Sequence, residues 1–257
     1  MSARCLLLLL ALAIYVSAPH PAAAEGLKVS PIRIYFEEQQ KTQTLTLHNE
    51  GDEPVTLQFE QMEWSQDAEG RDAYAPTQAI VLFPKIVTVG AHTDQLIRLG
   101  YQGPAPTDQE RAYRLYLTEL PVSTPGETTL KMAMRLGLPV FISPAEGRPT
   151  LEIAGMGVSQ AVAQLQVKNT GRHHAYLETI HVVGRAASGS EVFTTDASGW
   201  YVLPGSQRTF PIELPDSECA RAATLQFSLE FSNRDLDQPA VTSTASVTPS
   251  DCSGSAR

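Results

Sequence analysis

The chain has 257 residues, of which 42% are hydrophobic, and it carries 19 Lys and Arg against 28 Asp and Glu, a net charge of −9. That length accommodates two domains of ordinary size, each able to form its own core. An acidic chain of this composition offers no basic surface for nucleic acid or anionic lipid, so those partners are excluded.

Residues 1–24 have the pattern of a secretory signal peptide. Arg4 supplies a short positive region, LLLLLALAIYV an apolar core, and Ala22 to Ala24 the small residues before a cleavage site, so Glu25 is the expected mature N-terminus. The apolar run is too short to cross a membrane comfortably, and no later segment could insert into one. The mature chain is therefore expected outside the cytoplasm, with a net charge of −10.

Two cysteines remain in the mature chain, Cys219 and Cys252. In an oxidising compartment an even pair indicates one disulfide bond. Two free or metal-binding thiols are the alternative interpretation.

From Gly26 onward, short segments with alternating apolar residues follow one another at spacings of about 8–12 residues, the signature of strands separated by turns. The segments of the first half are LKVSPIRIYF, QTLTLHN, VTLQFEQMEW, AIVLFPKIVTV, DQLIRLGY, AYRLYLTEL and TLKMAMRLGLPVFI. Turn signals separate them at 49–52, 68–70, 89–91 and 103–104. These seven short strands predict an immunoglobulin-like β-sandwich.

The pattern then restarts. TLTLHNEGDEPVTLQFE is echoed by AQLQVKNTGRHHAYLETI, and IVTVGAHTDQLIRL is echoed, in the same order, by YVLPGSQRTFPIEL. Two such matches predict a duplicated domain and hence an all-β fold of two immunoglobulin-like β-sandwich domains. The expected divisions are a signal peptide (1–24), a first domain (25–145), a second domain (150–252) and a tail (253–257).

The last predicted strand of the first domain has a regular period of two. Large apolar residues (Leu130, Met132, Met134, Leu136 and Leu138) alternate with small or cationic ones (Lys131, Ala133, Arg135 and Gly137). Because a Pro-rich linker follows it, this strand is expected at a sheet edge, where its unpaired backbone groups could accept another strand.

No motif of an enzyme is present: the chain lacks GxSxG, a P-loop, HExxH and CxxC, so no catalysis is predicted. His173 and His174, with His181 seven residues on, form the best metal candidate, but adjacent side chains in a turn point apart, which favours a surface turn. Met132 and Met134 alternate with leucines as in a packing surface, which argues against a Cu(I) site and a copper-carrier function.

Arg33 lies in the otherwise apolar segment PIRIYF, near the expected hinge between the domains. One interpretation is an edge-strand charge that discourages aggregation. The other is a buried anion-binding site between the domains, since arginine binds carboxylates in a bidentate geometry.

Together these residues resemble the PapD-like periplasmic pilus-assembly chaperones of the chaperone–usher pathway. The resemblance rests on the signal peptide, the two predicted domains, Arg33, ERAYRLYLTELP (110–121) ahead of the alternating strand, and the cysteine pair of the second domain. It covers essentially the whole mature chain. Its most specific pieces are YLTELP and the strand that follows.

The resemblance implies a boomerang-shaped periplasmic chaperone without cofactor. Such a protein binds pilus subunits, lends them the last strand of its first domain, and delivers them to an outer-membrane usher. By position, Leu130, Met132 and Met134 would be the donor side chains, with Leu136 next, and Arg33 would anchor the C-terminal carboxylate of the subunit. Without a subunit, the exposed strand would need protection by self-capping or by a homodimer.

The sequence departs from the family at the second anchor. The family places a lysine near the end of the donor strand, where this chain has Pro139. Arg135 is the predicted second anchor, because it has the same strand parity, although it lies four residues earlier, about 13 Å away. Arg98 or Arg114 could supply the cation from another strand. This departure indicates a divergent branch, archaic-type or spore-coat-like.

A function of another class stays open at this point: a secreted immunoglobulin-like adhesin or structural fibre subunit. Such a protein would have a self-complemented edge and no dependence on an usher.

Overall fold

The computed structural model describes residues 26–37, 40–121, 133–234 and 236–252, which form two β-sandwiches. The predicted signal peptide, the tail, and the predicted donor residues Leu130 and Met132 lie outside the described residues. Within the described ranges, no helix has the length and apolar character needed to cross a membrane.

The described part of the first domain consists of ten strands in two sheets. The strands are β1 (Leu27–Ser30), β2 (Ile34–Phe36), β3 (Thr42–Asn49), β4 (Val55–Gln66), β5 (Asp72–Pro76), β6 (Ile80–Phe83), β7 (Ile86–Val89), β8 (Asp94–Tyr101), β9 (Arg111–Glu119) and β10 (Arg135–Ile142). The strand orders are β1-β3-β8-β6 and β2-β10-β9-β4-β5, and β7 also pairs with β4. The facing sides of the two sheets enclose a core that includes Leu45, Leu57, Ile97 and Leu115.

Two of the predicted strands are each divided by a proline. Pro31 separates β1 from β2, and Pro84 separates β6 from β7, and in both cases the two halves lie in different sheets. Proline has no N–H to donate to a strand ladder, so the chain leaves one sheet there and joins the other. Arg33 therefore lies in a bend between two strands, and its prediction inside a strand was wrong.

Over its described residues, the second domain consists of two sheets and two short helices. The elements are β11 (Leu151–Ser159), β12 (Val162–Asn169), β13 (Ala175–Arg185), β14 (Glu191–Ser198), β15 (Tyr201–Val202), β16 (Gln207–Glu213), α1 (Asp216–Cys219), β17 (Thr224–Asn233), β18 (Leu236–Asp237), β19 (Val241–Ser246) and α2 (Pro249–Cys252). The smaller sheet has the order β11-β12-β16. The larger sheet has the order β14-β13-β17-β18, with β15 paired to β13 and β19 paired to β17. The core of the domain includes Leu165, Val167, Ile180 and Phe227.

The internal repeat takes the form of one hydrogen-bonding pattern made twice. The Nδ2 of Asn49 donates to the carbonyl of Val89 at 3.2 Å, and its Oδ1 accepts from the N–H two residues later at 3.0 Å. The Nδ2 of Asn169 donates to the carbonyl of Val202 at 2.9 Å, and its Oδ1 accepts from the N–H two residues later at 3.0 Å. Each buried asparagine thus ties a turn to a later strand, and the matching stretches adopt the same local structure.

The predicted disulfide bond is confirmed: Cys219 of α1 is joined to Cys252 of α2 across a separation of 33 residues. Replacing both cysteines by serine is expected to lower the free energy of unfolding of the second domain by about 3–4 kcal/mol, because the cross-link no longer restricts the unfolded chain. Urea unfolding followed by circular dichroism measures this loss, and reduction of the native protein is the control. A loss below about 1 kcal/mol in both experiments would contradict the expectation.

Candidate functional site

The strand that ends the first domain, β10, has a partner on both sides along only part of its length. It pairs with β9 throughout, whereas β2 pairs only with Val140–Ile142. The N–H of Glu119 donates to the carbonyl of Met134. Since hydrogen-bond direction alternates along an antiparallel pair, the N–H groups of Arg135 and Gly137 point away from β9. No strand of the described chain pairs with this part of the edge.

The even-numbered side chains of β10 face the core of the first domain. Leu138 and Val140 are buried there, and Leu136 packs against the same core and is partly buried. Leu136, which was predicted to follow the donor residues, thus has its side chain against the core. Met134, immediately before the strand, is 42% exposed. The structure describes two of the predicted donor residues, Met134 and Leu136, and of these two Met134 has the exposed side chain.

The odd-numbered side chains of β10 lie on the opposite face, and Arg135 is the first of them. The guanidinium of Arg135 lies 4.2 Å from the ring centroid of Tyr116 and pairs with Glu60 at 2.9 Å. A Cβ at Gly137, opposite Tyr116, would lie 2.9 Å from that ring, so glycine provides the space for it. Arg135, the predicted second anchor, is exposed and already has a carboxylate partner.

Arg98 does not lie near this face. It belongs to β8, in the other sheet of the first domain, and its side chain is exposed on the outer surface of that sheet. Its neighbours in the strand, Ile97 and Leu99, point into the core. Because alternate residues of a strand point to opposite faces, Arg98 points away from the second sheet, and its prediction as an alternative anchor was wrong.

Arg114 of β9 lies directly opposite Pro139 in the strand register. Its guanidinium is 4.1 Å from the ring centroid of Trp64 and 5.5 Å from that of Trp200, and it donates to the carbonyl of Gly137 at 3.3 Å. Arg114 is only 6% exposed, and no carboxylate of the described chain forms a salt bridge with it. A buried cation without a counter-ion is costly, so this position suits the binding of an external anion.

Arg33 approaches the same place from the bend between β1 and β2. Its Nε donates to the hydroxyl of Tyr201 at 2.9 Å, and its guanidinium lies 4.9 Å from the ring centroid of Tyr176. The guanidinium of Arg114 lies 5.6 Å from the ring centroid of Tyr201. The two arginines, here called the arginine pair (Arg33 and Arg114), therefore converge on a tyrosine of the second domain. This contact favours the interdomain interpretation of Arg33 over an edge-strand charge.

His173 and His174 are buried between the domains, 6% and 1% exposed, so their prediction as a surface turn was wrong. The Nδ1 of His174 bonds to Glu110 Oε1 at 2.6 Å, and its ring stacks on Phe141 with a centroid distance of 3.6 Å. Glu110 also accepts from the hydroxyl of Ser143 at 2.7 Å. The contacts of His174 with Glu110 and Phe141 therefore join the second domain to the first.

The three histidines do not form a metal site in the structure. His181 lies on β13 and bonds to Asp196 at 2.6 Å, on an exposed face. In the described ranges, no group of three or more histidine, cysteine or acidic residues has an arrangement suited to a metal ion.

Burial and hydrogen bonding shift the pKa of Glu110 in opposite directions. Burial favours the neutral carboxyl, but the ring charge of His174 and the hydrogen bonds from His174 and Ser143 outweigh it, so the pKa of Glu110 lies below its usual value. For His173, burial disfavours the charged ring and lowers the pKa, although the charge of Glu110 acts in the opposite direction. The folded state therefore favours the deprotonated form of both groups, the carboxylate of Glu110 and the neutral ring of His173.

A second group of contacts between the domains centres on Asp72 of β5. Its carboxylate accepts from Trp64 Nε1 at 3.0 Å, from Trp200 Nε1 at 2.7 Å and from Arg208 Nη1 at 3.3 Å. Trp64 and Trp200 are the two tryptophans of the chain, so tryptophan fluorescence reports directly on this interface.

Sequence reasoning did not identify Glu110, Tyr201 or Trp200 as part of the site. Each is placed there by the docking of one domain on the other, and none belongs to a motif with a chemical signature. The available signal was weak: in YRLYL, Arg114 stands between strand residues whose side chains point into the core.

Residues 26–148 match the model of the family described as pili and flagellar-assembly chaperone, PapD N-terminal domain. No curated protein matches the chain. This family match does not favour the alternative of an adhesin or fibre subunit.

Solved structures share the fold over both domains. One is a chain of the CsuC–CsuE chaperone–tip adhesion subunit pre-assembly complex from the archaic chaperone–usher Csu pili of Acinetobacter baumannii, with 21% identity, a TM-score of 0.63, and coverage of 84% of this chain and 97% of that chain. The YadV chaperone has 19% identity and a TM-score of 0.58, with 86% and 99% covered. A chain of the SafA pilin–SafB chaperone complex of Salmonella enterica has 15% identity and a TM-score of 0.57, with 87% and 98% covered.

Proposed function

We propose, since the N-terminal domain of this chain belongs to the PapD family of pili and flagellar-assembly chaperones, that the protein is a periplasmic chaperone of pilus subunits. It holds each subunit by donor-strand complementation and passes it to an outer-membrane usher. The function requires no catalytic step and no cofactor. The predicted signal peptide would deliver the chain to the periplasm, where the disulfide bond can form.

One observation carries the proposal: the open edge of β10 lies beside the arginine pair. A subunit that lacks one strand exposes an apolar groove and two unpaired strand edges, which would otherwise cause aggregation. The N–H groups of Arg135 and Gly137 can pair with the backbone of such a subunit. Antiparallel or parallel addition of a strand in this way is a general mode of peptide recognition.

Apolar side chains would provide most of the affinity. Met134 is exposed next to the open edge, and Leu130 and Met132 precede it with the same parity in sequence. Burying three side chains of this size in a groove contributes roughly 5–9 kcal/mol before the costs of ordering. Methionine also adapts its shape, which suits a surface that must fit several subunits.

The arginine pair would set the register by binding the C-terminal carboxylate of the subunit. Arg114 would take the place of the lysine that the family has at the position of Pro139, because it lies directly opposite Pro139 on the neighbouring strand. A slip of one residue would turn every side chain of the added strand to the wrong face. Fixing one end of the subunit against two cations prevents that slip.

Met134→Glu is expected to reduce recovery of a co-expressed subunit at least tenfold, because a carboxylate would enter the apolar groove unpaired. Recovery is measured by co-purification of a co-expressed pilus subunit. Met134→Leu is the matched control and should retain recovery within about twofold, since it conserves apolar volume. Wild-type recovery by Met134→Glu, with unchanged tryptophan fluorescence, would contradict the assignment.

A further inference from the structure

We propose that Tyr201 of the second domain is a third binding residue of the anion site, donating a hydrogen bond to the anion held by the arginine pair. This inference rests on the proposed binding of a subunit carboxylate. The second domain would then contribute a binding residue to a site whose cations come from the first domain.

The ring of Tyr201 is held firmly by neighbours from both domains. Tyr201 lies on β15 beside Tyr176 of β13 and is 5% exposed. Its ring meets Trp64 of the first domain edge to face, with centroids 5.2 Å apart and planes at 81°. The ring of Tyr176 lies 4.7 Å away. The hydroxyl group therefore has a defined position when the domains are docked.

The hydroxyl of Tyr201 accepts one hydrogen bond, and its own proton is available for donation. Its oxygen accepts the Nε–H of Arg33 at 2.9 Å. A tyrosine hydroxyl both accepts and donates, yet in the part of the chain that the structure describes no acceptor receives its proton. An oxygen of a carboxylate bound beside Arg33 would be such an acceptor.

Tyr201 keeps this proton at neutral pH. Burial raises the pKa of Tyr201, and this effect outweighs the hydrogen bond from Arg33, which acts in the opposite direction. The hydroxyl is thus a neutral donor next to the guanidinium of Arg33, which suits an anion that requires several hydrogen bonds.

The same side chain also brings the two cations together. Arg33 contacts its hydroxyl and Arg114 lies 5.6 Å from the centroid of its ring. The negative face of an aromatic ring attracts a cation, so the ring offsets part of the repulsion between the two guanidinium groups. The first domain supplies the charges, and the second domain supplies the residue that orients them.

The test uses the full mature chain and a small carboxylate, N-acetylglycine, as the probe. Side-chain Nε–H signals of Arg33 and Arg114 are followed by NMR during titration, and N-acetylglycinamide is the uncharged reference. We expect saturable shifts with N-acetylglycine and none with the amide. Tyr201→Phe keeps the ring and is expected to weaken binding about tenfold, as for the loss of one hydrogen bond to a charged group.

Tyr176→Phe is the matched control, because it removes a neighbouring hydroxyl but leaves the ring beside Arg33; its affinity should stay within twofold of wild type. Tryptophan fluorescence of both variants verifies that the domains remain docked. Wild-type affinity in Tyr201→Phe would overturn the role of Tyr201 and leave the arginine pair intact. Absence of saturable shifts in the wild-type protein would overturn the anion site itself, and this inference with it.

Discussion

Replacing Arg114 by methionine is expected to reduce recovery of a co-expressed subunit at least tenfold, and to leave the chaperone as stable as the wild type or more so. Arg114 is 6% exposed and lacks a carboxylate partner among the described residues, so its charge is costly in the free protein. Methionine removes that cost and retains much of the volume between the aromatic rings. The loss of function arises because hydrogen bonds to a charged group contribute about 1.5–3 kcal/mol each.

Stability and capture are therefore expected to change in opposite directions at this position, which a purely structural role would not produce. Capture is measured by co-purification, and stability by urea unfolding monitored by fluorescence of Trp64 and Trp200. Arg33→Gln should lower recovery to a similar extent. Arg98→Met is the control, since Arg98 lies on the outer surface of the other sheet, and its effect should stay below twofold. Equal losses at Arg98 and Arg114 would show that Arg114 has no specific role in capture.

Glu110→Ala is expected to lower the free energy of unfolding by about 3–5 kcal/mol, because three buried hydrogen-bond donors lose their acceptor at about 1–3 kcal/mol each. The change leaves the ring and backbone N–H of His174 and the hydroxyl of Ser143 without their acceptor. Glu60→Ala is the matched control. Glu60 pairs with Arg135 in an exposed salt bridge and should cost less than about 1 kcal/mol. Equal, small losses in both variants would show that the Glu110 contact does not hold the domains together.

We expect the titration of buried groups at this interface to lower the stability of the folded protein in acid. The pKa of His173 is lowered by burial, so the unfolded chain binds its proton first, and stability falls as the pH drops below about 6.5, the ordinary value for histidine. The pKa of Glu110 is also lowered in the folded state, so its contribution is present above about 4.3 and is lost as the pH falls further. Both effects have the same sign. The pKa of His181 is raised by its hydrogen bonds to Asp196 and Glu230 and acts in the opposite direction, so the test uses the variant His181→Gln. Urea unfolding midpoints of that variant that rose from pH 7 to pH 5 would contradict the expectation.

The β-architecture was predictable because the period of two is a property of each strand alone. The alternation in TLTLHN or AYRLYLTEL needs no partner to be recognised. The two asparagine turns were likewise visible, since Asn-x-Gly has a local conformational cause. The disulfide bond followed from the compartment and the cysteine count. The sequence did not predict the strand divisions at Pro31 and Pro84, where one apolar segment contributes a strand to each of two sheets.

The site was less predictable because it forms between the domains. Period-two reasoning predicts that Arg114 points away from Tyr113 and Leu115, which is true, but it cannot show that a second domain covers that face. The same limit applies to His173 and His174: their turn is local, and their burial depends on Glu110 and Phe141, which the linear sequence places far away.

Hydrogen exchange on the purified complex with a co-expressed subunit tests the central claim most directly. The N–H groups of Arg135 and Gly137 lie on the open edge of β10, where the described chain has no strand beside them. If β10 is the strand lent to the subunit, these two amides should exchange at least about 100-fold more slowly in the complex than in the free chaperone. A stable complex in which both amides exchange as fast as in the free protein would contradict donor-strand complementation by β10.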